Sequence, residues 1–188
     1  MKTDMPVGIA FREAGRDVLL IGGIGETDPI RMGGTQYAKQ VAKDLWGLPP
    51  ALDMVFEKQV QSAVREMVLA KAVESAHDVS DGGLAWALAE SAFDNGIGAK
   101  VELDSDLAAE LLLYHEGPSR VVVSTTGAKA IEAIAAKHGV PVLRIGVTEA
   151  GKLTIGNKGS TLIDTPLASL REIWATALES KLEAEVHA

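Results

Sequence analysis

Cysteine is absent from this chain of 188 residues, which excludes disulfides, zinc–thiolate centres and thiol nucleophiles. Aromatic residues are scarce, at 4% against 47% hydrophobic residues overall, so the core has to be built from Ala, Val, Leu and Ile. No apolar run approaches the roughly 20 residues needed to span a bilayer, and Met1-Lys2-Thr3-Asp4 is too polar to open a signal peptide. Basic clusters are missing too: 18 Lys and Arg stand against 26 Asp and Glu, a net charge of −8. That balance argues against a nucleic-acid partner. Any phosphate has to be met locally, by amides, hydroxyls and one or two Arg, or through a bound cation. The four histidines are too few for a transition-metal site. His115, His138 and His187 stand near helix ends or the tail and are expected in solvent, whereas His77 beside Asp78 is expected to make structural hydrogen bonds. There is neither a Gly-rich run ending in Gly-Lys-Ser/Thr nor a Rossmann spacing after a first strand. What remains fits a cytoplasmic protein with no membrane partner.

The length suits one domain over residues 1–188, with its core at about 5–180. Residues 7–11 are expected as a short strand. The continuous apolar run 18–21, bounded by Asp17 and Gly22, predicts a strand covered on both faces. Tyr37, Val41 and Leu45 recur every four residues and predict a helix over 36–46 with Thr35 as its N-cap. Gly47 and Pro49-Pro50 break the chain, and Asp53 caps a long helix to about residue 74, with Phe56, Val60, Val64, Met67 and Val68 on its inner face. Strands are predicted at 75–79, 99–103, 121–124 and 140–147. Helices are predicted at 84–93, at 107–114 behind an Asp104-Ser105-Asp106 cap, and at 127–138. A hairpin over 152–163 turns around Gly156-Asn157-Lys158-Gly159. A last helix begins at Thr165-Pro166 and presents Leu167, Leu170, Ile173, Trp174, Ala177 and Leu178, with a frayed tail at 184–188. Strands and helices alternate, yet hairpin-like pieces intervene. The fold class predicted is α+β: a mixed β-sheet packed with helices.

Two stretches are candidates for chemistry. Ala76-His77-Asp78-Val79-Ser80-Asp81-Gly82-Gly83-Leu84 leads from a strand into a helix. Ser80 or Asp81 can cap that helix, and Gly82 and Gly83 remove side chains where free amides converge, so an anion could approach. Met32-Gly33-Gly34-Thr35 repeats the arrangement before the helix at 36. On pattern alone, the favoured reading of each stretch is an ordinary capped turn relaxed by glycine. Asp78 and Asp81 can contact Mg²⁺ carried by a nucleotide. In His115-Glu116-Gly117-Pro118-Ser119-Arg120, Arg120 can serve as a fork of donors to phosphate or as a salt bridge at the sheet edge.

The first of these runs, with the Ala85-Trp86-Ala87-Leu88-Ala89-Glu90 that follows it, resembles the synthetase subunit of phosphoribosylformylglycinamidine synthase. The resemblance continues through Gly25-Glu26, Gly33-Gly34-Thr35-Gln36-Tyr37, Pro49-Pro50-Ala51-Leu52-Asp53 and Glu116-Gly117-Pro118-Ser119-Arg120, in order, from about residue 5 to 180. It is similar to the C-terminal domain of aminoimidazole ribonucleotide synthetase-like proteins, which pair an N-terminal nucleotide-handling domain with a C-terminal α/β domain. The resemblance implies that residues 1–188 are a fragment of a longer multidomain chain. It also implies an ATP-dependent amidation in which the amide oxygen of formylglycinamide ribonucleotide is phosphorylated and glutamine-derived ammonia displaces the phosphate. ATP and Mg²⁺ are then needed by the full-length enzyme, and none by the fragment. The implied partners are N-terminal synthetase domains, a glutaminase and a small accessory subunit, with self-association of the isolated fragment. No catalytic or metal-ligating residue is carried over. Gly33, Gly34, Thr35, Asp78, Ser80, Asp81, Gly82, Gly83, Glu116, Ser119 and Arg120 match positions bordering an interdomain cleft that holds phosphate, nucleotide or substrate. Where the family usually has Ser, Thr35 keeps the hydroxyl. The first repeat of the family carries a Glu-Ser-Gln element that contacts substrate, from which Glu-Gly-Pro-Ser-Arg departs. A free-standing nucleotide- or anion-binding scaffold module of the same superfamily is the other reading.

Overall fold

In the computed structural model, residues 7–186 are described, with side chains to 182. The chain builds a mixed sheet of seven strands among these residues: β1 Asp17–Ile21, β2 Ser75–Asp78, β3 Ile97–Leu103, β4 Val121–Thr125, β5 Val142–Ala150, β6 Lys152–Asn157 and β7 Ser160–Pro166. Their order is β2-β4-β1-β5-β3-β6-β7, and only the β3–β6 pair is parallel. The helices are α1 Met54–Leu69, α2 Gly83–Phe93, α3 Ala109–Tyr114, α4 Ala128–Lys137 and α5 Leu167–Val186. The α+β expectation holds.

The run in β1 is apolar throughout because each of its faces meets a helical layer. Val18 and Leu20 pack with Val122 against Leu84 and Leu88 of α2. Leu19 and Ile21 pack with Val123 against Val60 and Met67 of α1 and Ile131 of α4. Period-two alternation delivers successive side chains to opposite sides, so a strand buried twice needs no polar face. At the far side of the sheet, Lys158 and Gly159 both take positive φ between the paired Asn157 and Ser160, the turn geometry that suits a two-residue hairpin. Asp53 caps α1 as expected, accepting from Val55 N at 2.9 Å and Phe56 N at 3.1 Å.

Several expectations give way to tertiary contacts. Residues 7–11 form no full strand. Gly8 makes one parallel bridge to Ser75, after which Phe11 turns into the core and its N–H donates to Ser91 O at 2.7 Å. The helix expected to residue 46 is a π-helical turn, Ala38–Ala42, stopped by Lys43 at φ 58°. Trp46 N donates to Gly33 O and Leu48 N to Ile30 O, so the chain is drawn back along the preceding loop. Val41 and Leu45 consequently stay 63% and 64% exposed. The long helix stops at Leu69 rather than near 74, because Lys71 adopts φ 56° and Val73 turns into the core. α3 starts at Ala109, without a side-chain cap, instead of behind Asp104–Asp106. In α5 the first turns dock: Leu167 is buried, and Trp174 meets Phe93 with ring centroids 5.3 Å apart. Ile173 and Leu178 remain exposed. The helix continues to Val186, and the rest of the expected frayed tail, with His187, lies outside the described residues.

Candidate functional site

β2 is an edge strand, and its end feeds the first glycine opening. Val79 N still donates to Arg120 O, after which Ser80 O accepts from Gly83 N and the chain reverses into α2. Gly82 and Gly83 take φ of 77° and 68°, the left-handed region that favours glycine. A Cβ on Gly83 would stand 2.6 Å from Leu113 O and 2.8 Å from His115 O. The pair therefore lets the start of α2 seat against the end of α3. Neither Ser80 nor Asp81 caps α2. Gly82 is the N-cap residue, with no side-chain acceptor from its own stretch. The acceptor comes from elsewhere: Gly82 N donates to Glu116 Oε1 at 2.7 Å.

The second opening meets the same atom. Thr35 is buried, its hydroxyl donating to Met32 O and accepting from Ala38 N at 3.2 Å, so it caps the short helical turn as expected. The next amide, Gln36 N, donates to Glu116 Oε1 at 2.8 Å. Two glycine-preceded helix starts, 34 and 80 residues away from Glu116 in sequence, thus converge on one carboxylate oxygen. Free amides at a helix start attract an anion, and here that anion belongs to the protein.

Glu116 is held by its own turn. Arg120 is 2% exposed and donates through Nη2 to His115 O at 2.8 Å, through Nε to Gly117 O at 3.1 Å and through Nη1 to Ile24 O at 3.3 Å. It neither reaches into the groove as a free fork nor forms a salt bridge at the sheet edge, so both sequence expectations are corrected. Burial lowers its pKa to about 9, which leaves it charged at neutral pH. His115 is 1% exposed rather than in solvent. Its Nε2 donates to Ile24 O at 2.8 Å and its Nδ1 accepts from Gly117 N at 3.2 Å. Burial first, then the neighbouring Arg120 charge, lowers its pKa to about 4, so the ring is neutral at pH 7. The loop carrying Ile24 closes over this assembly through glycines: a Cβ on Gly25 would lie 2.7 Å from Arg120 Cδ. Ser119, at φ 64°, donates its hydroxyl to Glu57 Oε2 at 2.6 Å and ties the turn to α1.

Between α1, the end of β2 and this turn lies an open groove of about 830 Å³. Asp78, Ser80, Glu116, Ser119 and Arg120 line it, with Leu52, Val64 and Val121 among its apolar wall. Gly33, Gly34 and Thr35 reach this edge only through the Gln36–Glu116 bond, and Asp81 is exposed outside the lining. Among the described residues no group of three His, Asp or Glu is placed to hold a metal ion, and no helix is long and apolar enough to cross a membrane. His77 is structural, its ring nitrogens facing Asp78 O at 2.7 Å and Glu90 Oε2 at 3.1 Å. His138 is half-buried and meets Glu66 Oε2 at 2.7 Å instead of standing in solvent. The groove can shape and border a ligand, and the hydroxyl–carboxylate pair in its lining, Ser119 and Glu57, is used to tie the turn to α1.

Comparison with known proteins gives a consistent pattern. Residues 13–156 match the family described as AIR synthase related protein, C-terminal domain. The phosphoribosylformylglycinamidine synthase subunit PurL of Moorella thermoacetica is 39% identical over 173 residues, covering 91% of this chain and 23% of that protein. The Synechocystis PurL is 36% identical over 184 residues, covering 95% of this chain and 24% of that one. This chain therefore spans about a quarter of the length of the curated relatives it matches. Among solved structures, Thermotoga maritima PurL complexed with FGAR superposes with a TM-score of 0.75 at 24% identity, covering 89% of this chain and 29% of that one. Phosphoribosylformylglycinamidine synthase II from the same organism gives 0.71 at 23% identity, covering 88% and 27%. At that identity the likeness concerns the fold.

Proposed function

Because this chain belongs to the family of AIR synthase related proteins, C-terminal domain, we propose that it is the C-terminal synthetase domain of a phosphoribosylformylglycinamidine synthase. The observation that carries this reading is identity of 36–39% over more than nine-tenths of the chain to relatives bearing that name. The reaction is the amidation of formylglycinamide ribonucleotide in purine biosynthesis, a cytoplasmic pathway. ATP phosphorylates the amide oxygen, ammonia from a glutaminase adds to the activated carbon, and phosphate leaves to give the amidine. The relatives favour this over a free-standing scaffold module.

The domain's share of that work is to border a cleft. Asp78, Ser80, Glu116, Ser119 and Arg120 line the groove, Gly33, Gly34, Thr35, Gly82 and Gly83 shape the two turns that Glu116 joins, and Asp81 is exposed outside the lining. The groove does not fit a magnesium–triphosphate by itself. Glu57, Asp78 and Glu116 line it against only Arg65 and the buried Arg120, each of whose three nitrogens already donates to a main-chain carbonyl, and no metal cluster lies among the described residues. ATP and Mg²⁺ are accordingly assigned to the N-terminal synthetase domains, with glutaminase and a small accessory subunit completing the enzyme. Leu52 and Met54 of the groove lining are exposed, as are Leu45, Leu48 and Val55 of the same stretch of chain. An apolar band of this kind marks a surface that a partner covers, here the N-terminal domains, and in their absence it promotes self-association.

Supplied with ATP, Mg²⁺, ammonia and formylglycinamide ribonucleotide, the isolated chain is expected to form no product. Sedimentation is expected to show concentration-dependent association. Turnover that survives repurification, or a strict monomer at high concentration, counts against the reading.

A further inference from the structure

A helix start with unsatisfied amides is ordinarily read as a place for phosphate, and this domain has two of them facing one another. At each of them one amide is already taken by the protein's own carboxylate. Glu116 Oε1 accepts from Gln36 N at 2.8 Å and from Gly82 N at 2.7 Å, and the residues on either side of Glu116 are fixed by a buried guanidinium. Arg120 donates to the carbonyls of His115 and Gly117, and His115 accepts from Gly117 N. An arm held on both sides of its tip by buried hydrogen bonds has little freedom to swing away.

We propose that Glu116 is a positioning residue: an internal anion that pins the two glycine turns to each other, fixes the rim of the groove and keeps both openings closed to phosphate. The Arg120 charge serves the arm rather than a ligand, since its donors end on main-chain carbonyls. Of the two arginines that line the groove, only the exposed Arg65 is then left to meet an anionic ligand. The assignment stands on the geometry of this chain and does not depend on the ligase reading.

The test is backbone amide NMR on the 188-residue chain, with inorganic phosphate as the probe and Glu116→Ala, Glu116→Gln and Leu88→Ala as variants. In the unaltered protein, phosphate is expected to leave the Gln36 and Gly82 resonances still. In Glu116→Ala the same two amides should shift together and saturably, and their hydrogen exchange should accelerate roughly ten- to a hundredfold, as loss of a charge-assisted bond implies. Glu116→Gln keeps an acceptor oxygen without the charge, so its exchange should lie between the two. Leu88→Ala loosens the core beneath α2, where Leu88 is fully buried, yet should not admit phosphate to either turn. Where Glu116→Ala does not fold, Glu116→Gln decides: faster exchange at both amides supports the assignment, and no change at either overturns it. Phosphate shifts at Gln36 and Gly82 in the unaltered chain equal to those in Glu116→Ala would also overturn it.

Discussion

Acidification should destabilise this domain through His115. The imidazole is buried, and its pKa falls from 6.5 to about 4, chiefly by burial and secondarily by the Arg120 charge. Between those two pH values the unfolded chain takes up a proton that the native chain refuses. Stability from this group is therefore complete above about pH 6.5 and declines steadily as the pH drops towards 4. At about 1.4 kcal/mol per pH unit, the interval corresponds to roughly 3 kcal/mol. Other groups, among them the Glu66 carboxylate held below its ordinary pKa by Lys137 and His138, add a loss at lower pH. The informative quantity is thus a difference. His115→Gln can retain a donor for Ile24 O and an acceptor for Gly117 N but cannot titrate. Urea unfolding of both proteins across this pH range should show the unaltered chain losing stability faster, and the gap between them narrowing by about 2–3 kcal/mol. Parallel pH profiles for the two proteins would refute the reasoning.

Gly82→Val should destabilise the fold by about 1–3 kcal/mol, since Gly82 holds φ 77° and the new Cβ would stand 2.7 Å from Trp86 Cβ. Arg120→Met should cost roughly 2–5 kcal/mol in urea unfolding by leaving the His115 and Gly117 carbonyls without their guanidinium donors; a cost well below 1 kcal/mol would count against Arg120 as the support of this turn. Asp53→Ala, which removes the acceptor for Val55 N and Phe56 N, should lower stability by about 1 kcal/mol, with helix fraying at 54–57 seen by amide exchange.

Local patterns carried the parts of the fold whose causes are local. The twice-buried strand β1, the Asp53 cap and the Lys158-Gly159 turn each depend on a few adjacent residues, and each stands where the sequence puts it. The site is different. Its two glycine pairs are visible in sequence, but the group that satisfies them is Glu116, 34 residues from one and 80 from the other. No spacing rule joins such positions. Arg120 and His115 sit in a polar run, in which His115 reads as solvated and Arg120 as a donor to phosphate or to a salt bridge. They are buried because the loop of Gly22 and Gly25 folds over them, where a Cβ on Gly22 would lie 2.0 Å from Ser119 O. The one local hint was the density of glycine in that loop. The helix expected over 36–46 failed for a related reason: its apolar spacing was sound, but backbone bonds from Trp46 and Leu48 to the preceding loop outweighed it.

The most direct measurement is product formation by a full-length relative in which the matching segment is exchanged for this chain. The M. thermoacetica protein, 39% identical over 173 residues, is a suitable host. With ATP, Mg²⁺, ammonia and formylglycinamide ribonucleotide, the chimera is expected to yield formylglycinamidine ribonucleotide, while the isolated chain and the host lacking this segment yield none. A folded, soluble chimera without activity, or turnover by the isolated chain, would contradict the assignment of this domain as the cleft-bordering part of an amidating synthase.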